Sequence, residues 1–230
     1  MRSLPWLLSL FLLPPAVHVA QGAEIRFAAL PGNNLAYKQV LSIRERRFKD
    51  LVEQKTDFSC GAAALATILN KAYGWNLQEA EVIRGMLANA DPNLVLTQGF
   101  SMLDMKNYAD KLGLRARGYR IEQDKLENLK VPSIVLHDVR GYKHFVVLQR
   151  TFKGYVYLGD PVLGHKKMPL EEFAKGWNGI VFALIGPGYD RYNALLTPPE
   201  PLTARQRINS FSPVKDAELM EFGFIQSDFF

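Results

Sequence analysis

The sequence holds one cysteine, Cys60, and four histidines among 230 residues. A lone cysteine excludes an internal disulfide. With His137, His144 and His165 outside the spacings of metal motifs, a zinc centre is not expected. No Walker-type phosphate loop and no polytopic region occur, so neither an ATPase segment nor a cofactor is expected. Basic residues are scattered, apart from Arg44, Arg46, Arg47 and Lys49, and there Glu45 and Asp50 intervene. Without a basic stripe interleaved with aromatics, nucleic acid is excluded as a partner. There is no internal repeat and no low-complexity tract. The longest apolar run, residues 4–17, is short against the roughly 20 residues of a membrane span.

That run sits in the three-part layout of a secretory signal. Met1-Arg2-Ser3 is a short positive start, the apolar core follows, and Ala20-Gln21-Gly22-Ala23 offers small residues for cleavage. The expectation is a signal peptide over residues 1–23 and a periplasmic protein, with an uncleaved anchor as the alternative. Removal of the segment takes Arg2 with it and lowers the formal charge from +5 to +4. It leaves about 207 residues, enough for one domain with a real core. An odd thiol in an exported chain points to a reactive residue.

Residues 24–48 read as an N-terminal arm broken by Pro31-Gly32-Asn33-Asn34, residues 49–186 as the domain, and residues 187–230 as a proline-rich, poorly packed C-terminal extension. Within the domain, Leu65, Ile68, Leu69 and Ala72 follow helical spacing over residues 61–73. A second helix starts near Asn76 and runs to Leu87. A third begins at Ser101, where Ser101 and Asp104 form a capping box, and stops at Gly113. The period then changes to that of strands: 114–121, 133–137, 144–149, 155–158 and 180–185, with a turn at 138–143 and a short helix at 169–177. Helices first and an antiparallel meander afterwards make an α+β fold.

Cys60 stands at the mouth of the first helix, where peptide dipoles and free N–H groups favour a thiolate. A cysteine nucleophile also needs a base, an orienter for that base and donors for the oxyanion. His18 leaves with the signal, and His165 lies in the basic turn Gly164-His165-Lys166-Lys167 as a solvated residue. His137 and His144 flank one turn. His144 is the better base because it opens the rigid apolar strand Phe145-Val146-Val147-Leu148. Asp160 ends the strand that pairs with it, near its start, and can accept the imidazole N–H. Asp138 is a rival orienter in the turn. Gln54 can donate to the oxyanion together with the Cys60 backbone N–H, and Asp57 can cap the helix.

Gln54-x-x-Asp57-x-x-Cys60-Gly61-Ala62-Ala63, a later His144-Phe145-Val146-Val147-Leu148, and Gly159-Asp160-Pro161-x-x-Gly164 together resemble family 39 of the cysteine peptidases, the papain-like enzymes that process bacteriocin leaders after a double glycine. The similarity covers roughly residues 49–185. It implies a papain-like fold, Cys60 as nucleophile, His144 as base, Asp160 as orienter and Gln54 as oxyanion donor. Familiar members are fused to exporter segments. A free-standing exported chain is similar instead to the peptidase-like component encoded with functional-amyloid secretion systems. The resemblance implies a polypeptide substrate and components of an outer-membrane secretion system as partners. Two other readings share the constellation: a non-catalytic module that escorts an unfolded substrate, and a Cys-His-Asp acyltransferase or amidase.

Overall fold

The computed structural model describes residues 23–26 and 37–201, with side chains from residue 41 onward. The expected signal core, the Pro31–Asn34 break and the apolar C-terminal end Phe222–Phe230 lie outside the described residues. Contacts divide the chain after Ile43. In the first unit, β1 (Ala23–Arg26) and β2 (Tyr37–Val40) form an antiparallel pair with Ala23 opposite Val40. Helix α1 (Ile43–Arg47) spans the boundary.

The second unit carries the expected α+β architecture. Four helices come first: α2 (Cys60–Tyr73), α3 (Glu79–Leu87), α4 (Pro92–Gln98) and α5 (Met102–Lys111). Helix α2 is the central one. Its alanine run and Leu65, Ile68 and Leu69 are all buried, and the helix stops at Gly74, whose φ of 72° is left-handed. The Ser101–Asp104 capping box starts α5 as expected: the Ser101 N–H donates to Asp104 Oδ2 at 2.8 Å and the Asp104 N–H to Ser101 Oγ at 3.2 Å. Helix α4 was not expected from the sequence, although Asp91 caps it and Pro92 opens it.

The sheet consists of β3 (Arg115–Arg120), β4 (Ser133–Val139), β5 (Tyr142–Phe152), β6 (Tyr155–Asp160), β7 (Gly164–Pro169) and β8 (Ile180–Ile185), in the order β3-β8-β4-β5-β6-β7. Strands β4 to β6 form the expected meander, and β7, read from the sequence as a basic turn, extends it. Strand β8 departs from it by inserting between β3 and β4, after α6 (Leu170–Gly176) has crossed the sheet. Both faces of the sheet are buried at its central strands, which explains the unbroken apolar run in β5. Phe145 and Val147 face the α2 core, while Val146 and Leu148 face a second core with Leu158 and Phe173.

Two expected boundaries differ from the structure. Residues 44–48 cluster with the domain, because Arg44 pairs with Glu53 at 2.8 Å and Arg47 Nε donates to the Leu163 carbonyl. The extension is not loose at its start. Over residues 187–201 the Asp190 N–H donates to the Ala72 carbonyl at 2.8 Å, Tyr189 packs edge-on against Tyr73, Leu195 is fully buried, and Glu200 accepts from Tyr157 and Lys167.

Candidate active site

The β4–β5 hairpin closes through Arg140 and Gly141, both at positive φ (54° and 87°), a two-residue turn of the kind that suits the strand twist. This tight turn, shorter than the expected 138–143, makes His137 and His144 direct cross-strand partners. His137 stacks on Phe173 with centroids 5.1 Å apart. Burial, then the charges of Lys166 and His144, hold its pKa below the usual value. Asp138 spends one carboxylate oxygen on the Gly141 N–H at 2.8 Å and does not reach His144, so it serves the turn.

Asp160 is fully buried and fully engaged. Its Oδ1 accepts the N–H groups of Val162 (2.9 Å) and Leu163 (3.0 Å), and its Oδ2 lies 3.0 Å from His144 Nε2. Burial pushes this carboxyl up, but the His144 bond and the two amides outweigh it and hold the pKa below the usual carboxylate value. An ionised Asp160 can only accept, so His144 Nε2 carries the proton. Nδ1 is then left as a bare lone pair, and it is buried and without a hydrogen-bond partner. Gly164 ends the turn at φ 78°, where a Cβ would also strike the Arg47 carbonyl.

A β-bulge sets which face Asp160 occupies. From the Lys153-Gly154 turn the pairs run Phe152–Tyr155, Thr151–Val156 and Arg150–Tyr157. The register then slips, so Leu148 faces Leu158 and Val147 faces Gly159. Gln149 is the extra residue. Without it Val147 would face Asp160, and the carboxylate would point to the α2 side instead of toward His144. Sequence reasoning missed the bulge. Its only trace in the sequence is the polar Gln149 that ends the apolar run Phe145-Val146-Val147-Leu148.

Cys60 is the first residue of α2, and Gly61 lets that helix come close to β5: a Cβ at Gly61 would lie 3.3 Å from the Phe145 ring. Beyond the last β5–β6 pair, the Phe145 N–H donates to Cys60 Sγ at 3.5 Å, so the sulfur is next to the residue that follows His144. The expectation of an easily ionised thiol is corrected. Burial pushes the Cys60 pKa up, against the amides of Phe145, Gly61 and Cys60 itself, and the Asp160 charge adds to the rise. The helix start does not outweigh desolvation. Thiol and imidazole share no hydrogen bond in this state, a common condition of substrate-free sites whose bonds tighten around substrate.

Gln54 is tied to the same corner by its backbone N–H, which donates to the Pro161 carbonyl at 2.9 Å. Its Nε2 donates one proton to the Thr56 carbonyl at 2.6 Å, which leaves the second amide proton for another acceptor. Asp57 is exposed and is not the helix cap. Ser59 holds that position, without a side-chain capping bond. The buried Glu79 was also missed. It accepts the Lys55 N–H (3.0 and 3.2 Å to its two oxygens) and the Ser59 hydroxyl, and so clamps the loop between Gln54 and Cys60. Nothing in its local sequence separates it from an ordinary first-turn glutamate.

His165 is not a solvated loop residue. It lies buried in β7, with Nε2 2.7 Å from the Lys49 carbonyl and Nδ1 3.2 Å from Gln149 Oε1. It braces the bulge and takes no part in the cysteine site. Among the described residues no cluster of His, Cys, Asp or Glu is arranged to hold a metal ion, and no helix is long and apolar enough to cross a membrane.

Gln54→Ala is expected to lower turnover by roughly a hundredfold, since one oxyanion donor is worth about 2.7–4 kcal/mol in the transition state. Alkylation of Cys60 forms no oxyanion and should proceed at the wild-type rate. Parallel loss of both rates would make Gln54 a brace for the loop and nothing more.

Residues 49–185 match the peptidase C39 family. The chain is 71% identical over 230 residues to the probable functional amyloid protease FapD of Pseudomonas aeruginosa, covering all of both chains. It is 62% identical over 207 residues to the protein of the same description from Pseudomonas fluorescens, covering 90% of this chain and 92% of that one. The colicin V secretion/processing ATP-binding protein CvaB of Escherichia coli is 25% identical over 185 residues, but the match spans only 24% of that longer protein. Among solved structures, the peptidase domain of Streptococcus ComA, a bi-functional ABC transporter involved in quorum sensing, superposes with a TM-score of 0.51 at 26% identity. That match covers 59% of this chain and 96% of the domain.

Proposed function

The chain belongs to the peptidase C39 family and is a cysteine peptidase, and from that premise we propose that it is a periplasmic endopeptidase cutting a polypeptide of a functional-amyloid secretion system. The observation that carries the mechanism is the buried Asp160–His144 pair, which turns the bare Nδ1 of the imidazole away from the carboxylate and leaves it free beside the Cys60 corner. Cys60 gives its proton to Nδ1, and the thiolate attacks the scissile carbonyl. The oxyanion takes the second Gln54 amide proton and the Cys60 backbone N–H. His144 then passes the proton to the leaving amine, releasing one product and leaving a thioester. Water, losing its proton to His144, hydrolyses the thioester and restores the thiol.

The periplasmic location rests on the signal-like layout of residues 1–23, and the substrate class on the likeness to the two Pseudomonas proteins described as probable functional amyloid proteases. The test is to map protein N-termini in periplasmic extracts from cells carrying either the wild-type chain or Cys60→Ala. New internal termini in secretion-system polypeptides should appear with wild type alone, and the peptidase itself should be found there without its first 23 residues. Identical terminus maps from equal amounts of the two proteins would contradict the proposal.

A further inference from the structure

Behind His137 an open cleft of about 810 Å³ runs between the β4–β5 turn, β7 and α6. Its walls carry Arg140, Lys143, Lys166, Lys167 and Lys175 against only two carboxylates, Asp138 and Glu172. Asp138 is occupied by the Gly141 N–H, and Lys167 is matched by Glu200 at 3.1 Å. No ion pair holds Arg140, Lys143, Lys166 or Lys175 among the described residues. Four unmatched cations converge on one concave surface, in a chain whose basic and acidic residues elsewhere are mixed.

The cleft adjoins the candidate catalytic corner through one residue. His137 lines it and is the direct cross-strand partner of His144. Lys166 faces Leu158 across the β6–β7 ladder, and Leu158 faces Leu148, so Lys166 lies on the sheet face that also carries His144 and Asp160.

We propose that this cleft is a substrate subsite that takes a run of Asp or Glu side chains lying to one side of the scissile bond. The proposal rests on the peptidase reading and deepens it by naming the chemistry of the substrate. A carboxylate-rich peptide fits better than a nucleic acid. The lining offers no stacking platform of exposed aromatics, because Trp177 is half-buried and spends its indole N–H on the Ile180 carbonyl at 2.9 Å. Extended peptide also matches the apolar side chains between the cations, Val139 and Met168, over which lysine stems and acidic side chains can lie.

The test uses the full chain with Cys60→Ala and a fluorescein-labelled octaglutamate peptide, read by fluorescence anisotropy. Octaglutamate should bind at least tenfold more tightly than octaglutamine, and 1 M salt should remove the difference. The cleft variant Arg140→Gln/Lys143→Gln/Lys166→Gln/Lys175→Gln should lose at least tenfold in affinity. The control Lys111→Gln/Arg115→Gln/Arg117→Gln/Lys130→Gln removes the same charge from exposed positions elsewhere and should change affinity by less than twofold. Circular dichroism melts of both variants show whether each is folded, and single charge reversals such as Lys166→Glu repeat the comparison if the fourfold variant is not. Equal losses in the two variants would mean attraction to net charge alone and would overturn the subsite. So would an oligothymidylate of eight nucleotides binding more tightly than octaglutamate through the same four residues. Binding is scored without cleavage, so a failed subsite leaves the peptidase reading untouched. A chain that binds octaglutamate here yet cleaves nothing when Cys60 is present would sink the peptidase reading alone.

Discussion

Cys60→Ala is expected to lower peptide cleavage by about 10⁴-fold or more, because the residual rate comes only from binding and oxyanion contacts. The fold should survive. Cys60 is partly buried and its sulfur accepts a single long bond from the Phe145 N–H, and helix α2 is held by its buried Ala, Leu and Ile side chains, not by its first residue. A stability change within about 1 kcal/mol is expected, measured by chemical denaturation. An alanine variant that cleaves at the wild-type rate would remove the thiol from the mechanism and leave the chain as a binding or escort module.

Asp160→Asn is expected to cost on the order of 10³–10⁴-fold in kcat with little change in KM. The asparagine oxygen can still accept the Val162 and Leu163 amides, so the turn is kept. Its NH₂ then faces His144 Nε2 where a carboxylate stood, and that nitrogen must become the acceptor. The imidazole proton moves to Nδ1, which can no longer take a proton from Cys60, and the negative charge that would stabilise the imidazolium is gone. Asp138→Asn, in the hairpin turn, should leave turnover nearly unchanged. The reverse ranking would move the orienting role to Asp138.

The candidate site residues stood out in the sequence because their types are scarce and their local settings are rigid: one thiol at a helix start, and one histidine opening an apolar strand. The capping box of α5 and its stop before Gly113, at φ 78°, were legible for the same reason, since local chemistry decides them. What escaped the sequence is non-local. The partner of β3 is β8, from the far end of the domain, and no periodicity records that choice. His165 reads as a polar residue in a basic stretch, yet the Lys49 carbonyl and Gln149 bury it. Counting back along an unbroken β5–β6 hairpin puts Asp160 near His144 but on the wrong face, and only the Gln149 bulge corrects it. The thiol is a case where local reasoning pointed the wrong way. Dipoles at the start of α2 are visible in the sequence, whereas the packing that desolvates Cys60 is not.

That last difference makes the pH dependence of Cys60 alkylation by iodoacetamide the most direct measurement of whether Cys60 and His144 work as one unit. Burial alone raises the thiol, so ionisation near neutral pH requires the imidazolium as partner. In the wild-type protein the rate should rise with an inflection above the free-thiol value of about 8.5, where burial holds it. In His144→Ala, with no imidazole to stabilise the thiolate, the inflection should move higher still, while His137→Ala should leave it where it is in wild type. Superimposable wild-type and His144→Ala profiles would contradict the Cys60–His144 assembly.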